Sequence, residues 1–386
     1  MNYLDHAATT PLDAKVLDLM IPYMAEHFAN PSSLYLAGNE TRRALEVARH
    51  AVAQVIGAKS GEIIFTSGGT ESNNLALRGV MSGKVDKNVI VSAVEHDSVL
   101  APAAQYDART LPVKPDGRID LDALGRLIDR GTAMVSIMYA NNEIGTVQPL
   151  RDIASLIRAK EKEYGTRIVF HTDAAQAGNY LDLHVGRLDV DLMTLNSGKV
   201  YGPRAVGCLY VRTGVKLSPL LLGGGQESGQ RSGTENVAGV VGFAAALTAA
   251  QDMKEAESKR LSTIQHDTLQ QLQRVLPDSV FNSPTKHVLP NTINITIPSI
   301  DGEAVVMAMD QKGYQIATGS ACHASSDLPS HVLLAIGRSE QEASASIRVT
   351  MGRSTTPEIM KDFVDTLSEV VNKLKTTGYL VAQPEH

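Results

Sequence analysis

The sequence predicts an α/β protein, with a mostly parallel β-sheet in a large domain and a second, smaller α+β domain. Strands alternate with helices early in the chain, and shorter mixed elements follow later. At 386 residues the chain is also too long for one simple core. The net charge of -6 argues against nucleic acid or an anionic membrane as a partner.

The amino-terminal part predicts a short extended piece followed by two helices. The first helix is predicted to carry Leu12, Val16, Leu19 and Met20 on one face. The loop at 27–33 is rich in turn-forming residues. The second helix spans residues 39–56 and is stopped by Gly57.

Strand–helix units make up the next part of the chain. The predicted strands lie at 62–66, 88–92, 133–138, 167–171, 191–195 and 206–211. The predicted helices between them span 71–80 and 150–163, and another begins near Asp97. This alternation favours a mostly parallel sheet that is covered by helices on both faces.

The pattern changes after residue 234, which predicts a second domain. A long helix at 237–275 carries charges at its centre and is expected to link the two domains. Shorter helical and extended pieces follow at 291–297, 302–312, 314–317, 332–336, 344–351 and 357–374. We predict a large domain over residues 12–255, and a small domain formed by residues 1–11 and 256–386.

The sequence favours a cytoplasmic protein. No apolar run is long enough to span a bilayer, and the amino terminus lacks the features of a secretory signal. Two cysteines in a chain of this size exclude a disulfide framework and suit a reducing compartment.

Polar residues follow the predicted strands, at the positions where those strands end. They are Thr70, His96, Asn142, Asp173, Gln176 and Lys199. In an open α/β sheet, ligands bind at the carboxyl ends of the strands. Pyridoxal phosphate requires a lysine for its Schiff base and an acid beside its pyridinium nitrogen. The set as a whole therefore predicts a pyridoxal phosphate site, although each residue alone has an ordinary structural explanation.

Each of these residues has a role that the cofactor would need. The turn that leads to Gly69 and Thr70 opens a helix, so its N–H groups can bind a phosphate; a simple glycine turn is the alternative. Asp173 would keep the ring nitrogen protonated, and Gln176 could bind the phenolic oxygen. His96 could stack on the ring or move a proton, or it could be a structural histidine.

Two residues late in the chain, Cys322 and Arg348, are candidates for acting on the substrate. Cys322 and His323 lie in a segment of small and polar residues at 318–327, so we expect an exposed thiol there. Cys208, in contrast, lies in an apolar run and is expected to be buried. Arg348 is an interior charge that needs an anion, either a substrate carboxylate or a buried acid.

Taken together, the motifs resemble those of the cysteine desulfurases, in the group of class-V aminotransferases that includes the nitrogenase-associated and iron–sulfur-cluster enzymes. The matching segments are YLDHAATT at 3–10, FTSGGTESNN at 65–74, EH at 95–96, NNEIGTVQ at 141–148, Asp173 with Gln176, YGP after Lys199, GGGQESGQRSGTENV at 223–237, GSAC at 319–322 and SIRVTMGR at 346–353. The resemblance runs from Tyr3 to about Thr356.

The resemblance implies a fold-type I pyridoxal phosphate enzyme with a seven-stranded sheet, working as a homodimer. Thr234 would reach the phosphate in the neighbouring subunit, while Asn142, Asn196 and Ser197 would lie beside the cofactor of their own chain. Asn30 and Arg348 would bind the substrate carboxylate.

The implied reaction converts L-cysteine to L-alanine. Lys199, together with His96, would move the Cα proton, and Cys322 would take the sulfur as a persulfide. The acceptor would be an iron–sulfur scaffold or a tRNA thiolation enzyme. A selenocysteine lyase, another fold-type I lyase or aminotransferase, and a non-enzymatic scaffold with a decayed site are the alternatives.

The chain departs from the family pattern around the lysine. Gly198 and Asn196 stand where the family usually has a histidine and a serine near the phosphate, and Ser197 is a candidate replacement. Arg204 and Ala205 complete a motif that is commonly GPKG. The tail after Tyr379 is also short.

Overall fold

A computed structural model describes residues 1–319 and 328–377 of the protein. The strands are β1 Asn2–Tyr3, β2 Ile63–Thr66, β3 Asn88–Ser92, β4 Asp107–Leu111, β5 Thr132–Ser136, β6 Val169–Asp173, β7 Leu192–Asn196, β8 Gly207–Val211, β9 Val280–Phe281, β10 Thr292–Thr296, β11 Tyr314–Gln315, β12 Ala317–Thr318 and β13 Ser346–Thr350. The α-helices are α1 Ala14–Ala25, α2 Leu36–Ile56, α3 Gly69–Met81, α4 Asp97–Ala103, α5 Leu121–Leu127, α6 Leu150–Tyr164, α7 Val185–Leu188, α8 Val237–Val275, α9 Gly302–Gln311, α10 His331–Ala335, α11 Glu340–Ser344 and α12 Pro357–Thr377. Short 3-10 helices lie at Ser60–Glu62, Ser197–Lys199 and Glu227–Gly229.

The central sheet has seven strands in the order β2-β8-β7-β6-β5-β3-β4. Strand β8 is antiparallel to both of its neighbours, and the other neighbouring pairs are parallel. Strands β2, β3, β5, β6 and β7 therefore all point the same way, and their carboxyl ends meet at one edge. The predicted α/β class, with a mostly parallel sheet, is confirmed.

Side chains that alternate along each strand build an apolar core on each face of this sheet. In β3, Ile90 joins one core while Val89 and Val91 join the other. In β6, Phe170 and Val169 divide in the same way. A strand buried on both faces reads as a continuous apolar run, which is why these strands could be recognised in the sequence.

A second, antiparallel sheet has four strands in the order β12-β13-β10-β9. Its core also contains apolar residues of α9, α12 and the last part of α8. The amino terminus belongs to the same region, since β1 pairs with β11 and Leu4 is part of this core. These contacts bring the segment before Ala7 next to β13, where Thr350 N–H donates to the Leu4 carbonyl.

Helix α8 extends from one core to the other. Its residues up to Ala250 pack in the core of the large sheet, and those from Leu261 pack in the core of the small one. The domain boundaries at residues 11/12 and 255/256 stay a prediction, which this separation of cores supports. None of the helices in residues 1–319 and 328–377 is long and apolar enough to cross a membrane.

Two local expectations differ from the structure. Strand β4 was not expected, because its sequence DARTL lies at the sheet edge and is mostly exposed, so it lacks the apolar signal of the inner strands. In α1, Val16 and Met20 are buried, whereas Leu19 is exposed. Leu12 was expected in this helix but precedes it, because the Asp13 side chain caps the amino terminus by accepting a hydrogen bond from Lys15 N–H.

Candidate active site

A cavity of about 330 Å³ lies at the carboxyl edge of the central sheet, where the loops after β2, β3, β5, β6 and β7 converge. Its walls include nine residues singled out in the sequence: Gly69, Thr70, His96, Asn142, Asp173, Gln176, Asn196, Lys199 and Arg348. The sequence identified them separately, and the sheet brings them together because these strands are parallel.

Lys199 stands at the cavity on the 3-10 turn that follows β7. Its Nζ donates hydrogen bonds to the carbonyl oxygens of Ala7, at 2.7 Å, and Ala8, at 2.6 Å. The amine is therefore held at the wall by the amino-terminal segment. Position 199 thus offers a nitrogen nucleophile to any carbonyl compound in the cavity.

Asp173 is the last residue of β6 and is nearly buried. Its Oδ1 accepts a hydrogen bond from Ala175 N–H at 2.9 Å, and its Oδ2 accepts one from Asn73 Nδ2 at 2.7 Å. Asn73 Nδ2 also donates to Ser98 Oγ, at 2.8 Å. The carboxyl group is thus fixed in one orientation and lines the cavity, where it can face a cationic ring nitrogen.

The amino terminus of α3 supplies hydrogen-bond donors at another wall. Gly68 precedes the helix with φ of 145°, a conformation that favours glycine. The backbone N–H groups of Gly69 and Thr70 make no backbone hydrogen bond within residues 1–319 and 328–377. Together with the positive end of this 13-residue helix, they make a place for a phosphate.

His96 lies at the cavity wall as the N-cap residue of α4. Its Nδ1 accepts a hydrogen bond from Ser98 N–H at 3.0 Å, so the neutral ring carries its proton on Nε2. The cap fixes the ring, which stands beside the cavity with Thr70 and Asn142.

Arg348, on β13, is buried and already paired with an acid. Its Nη2 donates to Asp5 Oδ1 at 2.7 Å, and its Nη1 donates to the Asn142 carbonyl at 3.1 Å. The buried ion pair, one of the two alternatives seen in the sequence, is therefore present. Its Nε is also buried and has no hydrogen-bond partner among the described residues. Arg348 thus retains a donor that another anion could use.

Two further predicted cofactor contacts differ in their placement. Gln176 lines the cavity, and its Nε2 donates to the Ala7 carbonyl at 2.9 Å. Ser197 is fully buried, and the cavity walls do not include it. Its Oγ lies so near Gly202 that a Cβ there would be only 2.2 Å away. Its Oγ is buried without a hydrogen-bond partner among the described residues, and its role as a replacement for the side chain missing at position 198 stays a prediction.

Asn30 and Thr234 are not brought to this cavity within one chain. Both are exposed and line a separate cavity of about 440 Å³, beside α1 and the start of α8. Cys322 lies outside the described residues, as does most of the segment predicted to carry the reactive thiol. Cys208 is fully buried, as expected, and burial raises the pKa of its thiol.

The sequence reasoning missed the residues that hold Asp173 and Lys199 in place. Asn73 lies three residues after Thr70 on α3, a spacing that puts both on one side of the helix, and this signal could have identified it. Ala7 and Ala8 act through backbone carbonyls, so their side chains give no signal.

Two buried carboxyl groups lie behind the cavity. Burial raises the pKa of Glu95 to about 8, and its Oε1 accepts hydrogen bonds from Ser92 Oγ and Met138 N–H. Burial also raises the pKa of Glu143 to about 7, and Ser330 Oγ donates to its Oε2. Both groups therefore take up protons close to neutral pH.

The cavity fits pyridoxal phosphate. The N–H groups at the start of α3 suit the phosphate, Asp173 suits the ring nitrogen and Lys199 suits covalent attachment. Asn73 Oδ1 is buried without a partner in the described residues, which leaves an acceptor beside this wall. Binding of this cofactor accounts for the acid, the lysine and the helix terminus at a single place.

The chain is similar to curated proteins over nearly its whole length. The family described as "Aminotransferase class-V" matches residues 2–363. A protein of Dictyoglomus turgidum, named cysteine desulfurase IscS, is 43% identical, over 97% of this chain and 95% of its own length. Cysteine desulfurase IscS 1 of Archaeoglobus fulgidus is 39% identical, over 98% of this chain and 99% of its own length.

Solved structures agree with this similarity. A structure described as a NifS-like protein matches with a TM-score of 0.90 at 33% identity, and covers 97% of this chain and 100% of its own. A structure described as SspA in complex with cysteine matches with a TM-score of 0.76 at 34% identity, over 91% of this chain and 99% of its own.

Proposed function

The chain belongs to the class-V aminotransferase family, among the cysteine desulfurases, and we propose that it converts L-cysteine to L-alanine with the sulfur left as a persulfide on Cys322. Its cofactor is pyridoxal phosphate. The observation that carries the proposal is the convergence of Asp173, Lys199 and the amino terminus of α3 on one cavity, in a chain similar throughout to cysteine desulfurases.

Asp173, Lys199 and His96 have separate roles in the reaction of the substrate. When bound, pyridoxal phosphate supplies an electron sink for the carbon that carries the substrate amine. Asp173, held by Asn73 and Ala175, keeps the ring nitrogen protonated and so maintains that sink. Lys199 would attach the cofactor and would also move the Cα proton of the substrate, assisted by His96 at the same wall.

Arg348 binds the substrate carboxylate in this proposal. Its buried Nε is without a partner in the described residues, and a carboxylate in the cavity would satisfy it. The ion pair with Asp5 would then hold the guanidinium in position rather than compete for the carboxylate, because Asp5 bonds Nη2 and not Nε.

Cys322 takes the sulfur. Its thiolate attacks the substrate sulfur, an S–S bond forms and the substrate C–S bond breaks. The bonding pair remains on the substrate carbon, which takes up a proton from solvent, so that the three-carbon fragment leaves as alanine. The persulfide is then transferred to an acceptor protein, either an iron–sulfur scaffold or a tRNA thiolation enzyme. We expect this transfer in the cytoplasm, a reducing compartment in which a single reactive thiol persists.

We also propose that the enzyme is a homodimer. Large apolar side chains are exposed on α1, on the segment after it and at the start of α2: Leu19, Met24, Phe28, Leu34 and Leu36. Exposed apolar patches on one surface are typical of protein interfaces. Thr234 and Asn30 line the cavity beside Phe28, so a second subunit packed there would bring Thr234 near a neighbouring phosphate.

Steady-state turnover of L-cysteine with a reductant tests the proposal. We expect alanine and sulfide in equal amounts, and loss of both, together with the absorbance of the attached cofactor, in Lys199→Ala. Formation of a keto acid in place of alanine would instead make the protein an aminotransferase. A large preference for selenocysteine over cysteine would make it a selenocysteine lyase.

A further inference from the structure

A second cavity adjoins the cofactor cavity at its phosphate end. It has a volume of about 360 Å³ and shares the walls formed by Gly69, Thr70, Asn196 and Lys199. Its remaining walls include Gly198 and Arg204. The donors at the start of α3 therefore border this second space as well as the cofactor cavity.

The absence of a side chain at position 198 contributes to this space. A Cβ built on Gly198 would lie 3.7 Å from Asn196 Oδ1, 3.9 Å from Thr9 Oγ1 and 4.0 Å from Arg204 Cγ. These are ordinary van der Waals distances, so a larger side chain could occupy the opening. The aliphatic part of Arg204 lies beside it, which puts a flexible cationic side chain within reach of the phosphate end.

Arg204 differs from other arginines around the site because the structure gives it no ion pair. Arg231 is bonded to Glu71 at 2.9 Å, Arg353 to Asp13 at 3.0 Å and Arg348 to Asp5 at 2.7 Å. Within residues 1–319 and 328–377, Arg204 has neither a salt bridge nor a side-chain hydrogen bond. An exposed arginine is commonly just solvated, but this one lines a cavity whose walls also include the phosphate donors Gly69 and Thr70 at the start of α3.

The acid that lines the same cavity, Glu71, is bonded to other groups. The Glu71 carboxylate accepts hydrogen bonds from Arg231 and from the Ser67 backbone N–H. Burial raises the pKa of Glu71, but these bonds outweigh burial, so the pKa is lowered overall. A dianionic phosphate placed at the start of α3 would therefore contact the helix terminus, the Thr70 hydroxyl and the Asn196 amide. Arg204 is a cationic side chain in this cavity that could bind the remaining phosphate charge.

We propose that Arg204 binds the phosphate of pyridoxal phosphate in this protein, reaching it through the opening that Gly198 leaves. The inference rests on the proposed cofactor site and adds a residue specific to this chain. A guanidinium suits this role because its N–H groups can bind two phosphate oxygens at once. Gly198 then leaves an opening beside the phosphate, and the Arg204 side chain reaches the phosphate through it.

Binding of two ligands to cofactor-free protein tests the proposal. Pyridoxal phosphate and pyridoxal differ only in the phosphate, and each is titrated into wild type and Arg204→Ala while the absorbance of the attached ligand is followed. We expect the dissociation constant for pyridoxal phosphate to rise about tenfold or more, as for a lost charged hydrogen bond, and that for pyridoxal to stay within about twofold.

Arg78→Ala is the matched control. Arg78 lies nine residues after Gly69 on α3, about 13 Å along the helix, so its loss changes the net charge equally without reaching the phosphate. We expect both ligands to bind this variant as they bind wild type. If Arg78→Ala and Arg204→Ala weaken the binding of pyridoxal phosphate equally, the effect comes from the lost net charge and not from a contact with Arg204. That result would overturn the proposal.

Gly198→His tests the pairing of the two positions. An imidazole at 198 would fill the opening and stand between Arg204 and the phosphate end. We therefore expect Arg204→Ala to weaken pyridoxal phosphate binding far less in the Gly198→His background than in wild type. A full, additive loss in both backgrounds would contradict the route through the opening.

The outcomes separate this inference from the proposed function. If wild type binds pyridoxal phosphate much more tightly than pyridoxal but Arg204→Ala changes neither constant, only the role of Arg204 fails. If Arg204→Ala weakens both ligands equally, the residue supports the fold and the inference also fails. If wild type binds neither ligand, the proposed function fails with it.

Discussion

Asp173 illustrates how far single residues could be predicted. Its position after an apolar strand predicted that it would face the ring nitrogen of the cofactor, and the structure puts it at the cavity. Its orientation depends on Asn73, which comes from α3 and lies 100 residues away in sequence. Periodicity predicts which strand a residue ends, but it does not predict which distant side chain meets it, because such contacts follow from the order of the strands.

Asn73→Ala should lower kcat about tenfold. It removes one of the two hydrogen bonds that orient the Asp173 carboxylate, and bonds to charged groups contribute about 1.5–3 kcal/mol. The absorbance spectrum of the bound cofactor should change in parallel, since it reports the protonated ring nitrogen. Asn74→Ala is the control, because Asn74 is half-buried and, among the described residues, donates to the Thr70 carbonyl rather than to Asp173. Equal kinetics in the two variants would refute a positioning role for Asn73.

Glu95→Gln should make stability less dependent on pH. The pKa of Glu95 is raised to about 8 in the folded protein, against about 4.5 when unfolded, so folding takes up a proton between these values. Stability that is present below pH 4.5 is therefore lost as the pH rises, by up to about 1.4 kcal/mol per pH unit.

Thermal unfolding of the cofactor-free protein at several pH values measures this effect. The Tm of Glu95→Gln minus that of wild type should increase from pH 5 to pH 8. Glutamine retains an oxygen for the bonds from Ser92 and Met138, so the variant should fold. A constant difference across this range would show that Glu95 does not titrate as inferred.

At the scale of elements, the segment that carries Thr234 is anchored by a buried ion pair. Glu227 accepts two hydrogen bonds from Arg49 on α2, at 2.7 and 2.8 Å, and one from Phe65 N–H on β2 at 2.9 Å. The pair attaches this segment to the edge of the sheet nearest the phosphate end. Nothing in the local sequence reveals it, because Arg49 and Glu227 belong to different elements.

Glu227→Ala should destabilise the protein by about 3 kcal/mol, because it leaves the Arg49 charge buried without its main partner. Glu46→Ala removes the other acid bonded to Arg49, at the exposed rim, and should cost less than about 1 kcal/mol. Urea unfolding of the two variants beside wild type makes the comparison. Similar losses in both would mean that the buried pair does not anchor the segment.

At the scale of the whole molecule, most strands of the sheet could be predicted from the sequence. The predictions failed for elements whose side chains are only partly buried. Strands β3 and β6 were recognised because both of their faces are covered, whereas the exposed edge strand β4 was missed. Leu19 was predicted to share one face of α1 with Val16 and Met20, yet it is exposed while they are buried. The sequence of one chain cannot distinguish an apolar side chain that packs internally from one that packs on another subunit.

Phe28→Asp should convert the proposed dimer to monomers. The side chain is 78% exposed in one chain and lies beside the cavity of Asn30 and Thr234, so a carboxylate there would be buried without a partner in an interface. Val85→Asp is the control, because Val85 is 92% exposed and lies in the turn after α3. Sedimentation should give a monomer for the first variant and a dimer for the second; a monomeric wild type would contradict the dimer.

The central claim is that Cys322 receives the sulfur of L-cysteine in a pyridoxal phosphate enzyme. The most direct measurement is the alanine released from L-cysteine without reductant, in wild type and in Cys322→Ala, with the mass of each protein determined afterwards. We expect about one alanine per subunit and one added sulfur atom in wild type, and neither in the variant, whose cofactor absorbance should be intact. Equal alanine release by both proteins, or none from a wild type that carries its cofactor, would contradict the account.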